Sequence, residues 1–128
     1  MSIAREDLAA MRVLLAEPHP LVRMVAFCAQ QACEKSLKAV LHLYGADNVP
    51  WTHDMGALVA MASRLGLEPP FARILADLTT YAAESRYTDP IRPGAADLAD
   101  AVRAADAVVA WAGPLVAEKL AGTEYEER

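Results

Sequence analysis

Residues 26–44 read AFCAQQACEKSLKAVLHLY, and this stretch, Ala26 to Tyr44, decides the fold. Stepped at the helical period, Val25, Ala29, Ala32, Leu37, Val40, Leu41 and Tyr44 gather on one broad apolar face, as a buried amphipathic helix requires. Ala29, Ala32, Cys33 and Ser36 are small enough to let neighbouring helices approach closely. Gln30, Gln31, Glu34, Lys35 and Lys38 make up the polar side in this reading, with Glu34 and Lys38 spaced for an ion pair along one helix face. Gly45 supplies a left-handed stop.

Outward from that helix, the rest of the chain repeats the same period. Ala4, Leu8, Met11 and Leu15 define a first helix over 3–16, with Ser2 as its cap and Glu6 and Asp7 at its positive end. Pro18 and Pro20 close it. Thr52 reads as the cap of a third helix whose face is Met55, Leu58, Val59, Ala62 and Leu65, ending at Gly66. A shorter helix follows Pro69-Pro70, with Phe71, Ile74, Leu75, Leu78, Tyr81 and Ala82 in phase. Periodicity stops at Glu84–Pro90, ESRYTDP, and resumes in a last helix from Ala95 through Leu98, Val102, Ala105, Val109, Ala112 and Val116. Pro114 interrupts that helix or kinks it. The fold class is therefore all-α: an up-and-down four-helix bundle with one extra short helix, a single domain over 1–122 and a charged, frayed tail over 123–128.

Composition narrows the function. The 128 residues are 55% apolar and carry a net charge of −5, which excludes a general nucleic-acid glue but not a local basic pocket. The two cysteines, Cys28 and Cys33, lie on one helix and cannot bridge each other, so a reducing cytoplasm is the expected compartment. No apolar run is long enough to span a membrane. His19, His42 and His53 share no metal-ligand spacing and there is no CxxC, so no metal and no cofactor is expected. The segment Ser85-Arg86-Tyr87 offers a guanidinium fork beside an aromatic ring, fit for a phosphate or a base. Its plainer reading has Arg86 paired with Glu84 or Asp89 and Tyr87 packed as a lid. Gln31, Lys35 and Lys38 likewise read either as a solvated face or, if they converge with Arg86, as a phosphate site. Trp111 and the alanines of the last helix fit either a subunit contact or an internal core stripe.

Three segments in register, AFCAQQACEKSLKAVL (Ala26–Leu41), THDMGAL (Thr52–Leu58) and YAAESRYTDP (Tyr81–Pro90), resemble the HEPN domain family, the higher eukaryote and prokaryote nucleotide-binding proteins. The resemblance covers nearly the whole chain. It implies a helical bundle that forms a homodimer around a groove, and a nucleotidyltransferase partner in a toxin–antitoxin type system. Many members are metal-independent RNA endonucleases with an Arg-x4-6-His motif, in which arginine positions the phosphate and histidine assists attack by the ribose 2′-hydroxyl. Here no histidine follows Arg86 or Arg103, the literal match Arg12-x6-His19 lies away from the motif's usual place, and Cys28 stands where many relatives have histidine. The expected function is a homodimeric nucleotide- or RNA-phosphate-binding module using Arg86, Tyr87, Lys35, Lys38 and Gln31. The alternatives are an RNA endonuclease toxin with a variant site drawn from Arg86, Tyr87 and His53, or a ligand-free dimerisation scaffold.

Overall fold

The structure is a computed structural model that describes the backbone of residues 1–45, 48, 49, 51–84 and 95–126, with side chains except over 79–84, 95, 96 and 123–126. The described residues form five helices: α1 Ser2–Leu15, α2 Val22–Leu43, α3 Met55–Arg64, α4 Ala72–Glu84 and α5 Ala95–Glu126. The all-α bundle read from the sequence is what forms. Among the described residues no helix is long and apolar enough to cross a membrane.

Helix α2 is the axis of the bundle, packing chiefly on α1 and α5 while also touching α3 and α4. Its predicted face holds: Val25, Ala29, Ala32, Leu37, Val40 and Leu41 are all buried, and Tyr44 is half-buried. Asp7 of α1 meets Lys35 late in α2, so these two helices run antiparallel. Arg12 meets Asp106, and Arg5 approaches Gly113, so α5 is antiparallel to α1 as well. Small residues carry the contacts: Ala29 and Ala32 of α2, with Ala101, Ala104, Ala105 and Ala112 of α5, are buried. Each lets the helix axes come closer, and the longer Leu37, Leu41, Met11 and Leu58 fill the space between. The alanines of α5 thus form core within one protomer, and Trp111 is half-buried against them.

Several local expectations are corrected. Helix α2 begins at Val22, a turn earlier than the quoted stretch, and α3 rather than α4 is the shortest helix. Ser2 lies inside α1, whose cap is Met1, and no side chain caps it. Leu15 and Leu65 sit at helix ends and are more than a third exposed, so neither joins its stripe. Phe71 precedes α4 at a left-handed φ of 58° and is also exposed. Helix α5 continues across Pro114 to Glu126. Gly45 and Gly66 do take the left-handed stops expected of them, at φ 86° and 79°.

Leu37 and Leu41 are wholly buried on the helix that touches every other one. Leu41→Ala should lower unfolding free energy by about 2–5 kcal/mol, read from urea denaturation, whereas the exposed Leu120→Ala should change it by less than about 0.5 kcal/mol.

Candidate functional site

The polar residues of α2 do not all face water. Gln30 is 2% and Glu34 3% exposed, against the expectation that both lie on the solvated side. At about 100° per residue, Gln30 falls between Leu37 and Leu41 on the helical wheel, and Glu34 lies just beyond Leu41. The buried arc therefore spans about 240°, from Glu34 round to Cys28, wide enough to touch four neighbours. Residue type misled where angular position was informative.

A carboxylate removed from water needs compensation. Glu34 has two partners. Lys38 Nζ donates to Oε2 at 3.3 Å, the expected pair four residues along the helix, and His53 Nδ1 lies 2.9 Å from Oε1. Because a carboxylate only accepts, the second bond requires the proton on Nδ1. His53 is placed by the turn that opens α3. Thr52 Oγ1 accepts the Asp54 N–H at 3.0 Å, and Asp54 Oδ1 accepts the Ala57 N–H at 3.3 Å. Asp54 is thus the helix cap, and Thr52 the turn before it, correcting the assignment of the cap to Thr52.

Lys35, on the adjacent stripe, donates to Asp7 Oδ2 of α1 at 2.7 Å. Lys35 and Lys38 together border an open cavity of about 330 Å³ whose other walls are the first turn of α1, Met1 to Ala4, and Ala39. That volume is at the small end of the range for small-molecule sites. Both lysines already have a carboxylate, yet each ammonium has three donors and can share them with a bound oxyanion. On its far side Lys38 Nζ stands 6.0 Å from the centre of the Trp51 ring. The cluster therefore brings Lys35, Lys38 and His53 to one end of the bundle. Gln31 is half-buried on the Lys35 stripe and takes no part in these hydrogen bonds among the described residues. Arg86 and Tyr87 lie outside the described residues. His19 and His42 are exposed, and no group of three or more His, Cys, Asp or Glu among the described residues is placed to hold a metal ion.

Two further residues bear on this region, Trp51 and Gln30. Trp51 is fully exposed beside Lys38, and nothing in its aperiodic loop marks it. Gln30 is buried with neither amide atom hydrogen-bonded among the described residues, a cost of about 1–3 kcal/mol unless water or a ligand meets it.

Cys33 is buried on the inward face of α2, and burial pushes its thiol up from 9.0 to about 12. Cys28 is also raised, first by burial and then by Asp7, with Lys35 opposing. Neither is a poised nucleophile. Since the folded thiol of Cys33 loses its proton later than the unfolded one, its contribution to stability is intact below about pH 9 and is lost as pH rises towards 12. Urea unfolding at pH 7 and pH 10 should show that loss in the wild type and a smaller one in Cys33→Ala. Glu34→Ala should cost about 2 kcal/mol, less than the 3–5 of a fully buried pair because Lys38 and His53 both reach water, and thermal unfolding reads it directly.

The comparison with protein families matches residues 1–118 to the HEPN domain model. Neither curated proteins nor solved structures gave a match. The match takes in α1 to α4 and most of α5, including the Glu34 cluster and the segment that carries Arg86. The chain belongs to the HEPN domain family.

Proposed function

We propose that this HEPN chain is a homodimeric module that binds the phosphate of a nucleotide or RNA at the end of α2, and that it works beside a nucleotidyltransferase in a toxin–antitoxin type system. One observation carries the reading. A buried carboxylate, Glu34, holds Lys38 and His53 at the surface, next to a cavity that Lys35 and Lys38 border. A cation held on a helix and released from its rotamer search is a better phosphate ligand than a freely moving one. Arg86 and Tyr87, from the connection between α4 and α5, supply the fork and ring in this proposal, and Gln31 a further donor beside Lys35.

Calorimetry with mononucleotides and short RNAs tests it. Binding should weaken at least about tenfold in the Lys35→Ala/Lys38→Ala protein, and log affinity for RNA should fall with log salt by about 0.7 per phosphate neutralised. Arg86→Ala should weaken it as well. No heat with any nucleotide or RNA would refute the proposal.

The same carboxylate favours a second reading, the metal-independent endonuclease. Glu34 orients the His53 ring through Nδ1, and in this reading that imidazole is the base that takes a proton from a ribose 2′-hydroxyl. Cleavage of RNA in EDTA, leaving 2′,3′-cyclic phosphate ends and abolished by His53→Ala, would establish it. Intact RNA after long incubation would leave binding alone.

Dimerisation is supported by exposed apolar side chains outside the α5 stripe: Val13 on α1, Leu21 just before α2, and Met24 and Phe27 on α2. Light scattering should give twice the 13.8 kDa chain mass, and Phe27→Glu should reduce it to the monomer.

A further inference from the structure

Trp51 stands out among the apolar side chains because all of it is in water, at 101% relative accessibility. It directly precedes the turn that opens α3, where Thr52 Oγ1 holds the Asp54 N–H and Asp54 Oδ1 holds the Ala57 N–H. The chain carrying the ring is thereby tied to a helix, so the indole is displayed from an anchored point. Lys38 Nζ stands over the ring at 6.0 Å, and Glu34 holds that ammonium from below. The arrangement is a flat π surface, open to solvent, with a cation beside it.

We infer that Trp51 is a stacking platform for an unpaired nucleobase, with Lys38 receiving the phosphate of the same nucleotide. The inference rests on the phosphate-binding reading above and extends it from the phosphate to the base. The ligand chemistry is an aromatic base joined through ribose to a phosphate, as in single-stranded RNA or a free nucleotide. Every base has a π face, so stacking on an indole tolerates any sequence but requires a base free of its partner strand. Paired RNA hides those faces and is therefore excluded. A protein partner fits the position less well. Interface anchors sit among other apolar side chains inside a polar rim, whereas Trp51 has Lys38 over its ring and His53 and Asp54 next in the chain. The exposed Leu21, Met24 and Phe27 end about 16 Å before Lys38 along α2.

The test uses the full chain with a fluorescein-labelled single-stranded adenylate hexamer, a mixed-sequence RNA duplex and AMP, in anisotropy and calorimetry. Wild type should bind the hexamer more tightly than the duplex. Trp51→Ala should weaken the hexamer by about 5- to 100-fold, the span of alanine substitutions at stacked aromatics. Trp51→Phe should stay within about threefold of wild type, and circular dichroism should show both variants folded, since the side chain supports no packing. If AMP weakens in parallel with the hexamer, the nucleotide is itself a ligand. If only the hexamer weakens, the ligand is the RNA strand. Hexamer binding that is equal in wild type and Trp51→Ala, yet lost in Lys35→Ala/Lys38→Ala, overturns the stacking and leaves the phosphate reading standing. No binding by wild type to any probe overturns both. A fall in molecular mass on Trp51→Ala, with RNA binding unchanged, assigns the ring to a subunit contact and overturns the inference.

Discussion

A single carboxylate taken out of water on the central helix organises one end of this molecule. Glu34 sits where the geometry of α2 demands an inward side chain, and a charge there is tolerable only with partners. It finds one on its own helix, Lys38, and one at the start of α3, His53. The first bond fixes a lysine rotamer, and the second pins the entry of α3 to α2. Loss of either would leave a buried charge partly uncompensated. The carboxylate that supports the packing therefore also positions Lys38 and His53 at the surface.

The rest of the bundle makes room for that arrangement by close approach. Alanines on both α2 and α5 bring their backbones together over most of the contact, so the bundle is held by many small apolar contacts and a few long side chains. Beyond that zone Tyr44 reaches across to the Leu115 carbonyl at 3.2 Å, and Lys119 lies 4.7 Å over its ring. These contacts fasten the end of α2 to α5, beside the cavity bordered by Lys35, Lys38 and Ala39. A site on a rigid helix end is held more closely than one on a loop.

Much of the fold was legible because helical periodicity is carried by many residues at once. Val25, Ala29, Ala32, Leu37, Val40 and Leu41 repeat the message, and any one could be misread without harm. Single positions have no such redundancy. Side-chain type puts Glu34 and Gln30 outward, although their angle on α2 points inward. Thr52 and Asp54 are both good caps, and only the bonds made decide between them. The site was legible in part: Lys38 and His53 could be named, but their meeting on Glu34 depends on how α3 packs, a long-range fact. The exposure of Trp51 leaves no trace in a local pattern. Arg86 and Tyr87 were singled out from the sequence, and their geometry lies outside the described residues.

The proposed function requires that a phosphate-bearing ligand land beside Lys35 and Lys38 of α2. Backbone and lysine-ammonium NMR spectra, recorded as a short single-stranded RNA is added, locate it directly. Shifts should be concentrated at Lys35, Lys38, Trp51 and His53, with the core alanines of α5 unmoved. Shifts confined to the far end of α2, around Leu21 to Phe27, or no shifts at all, would contradict the proposed function.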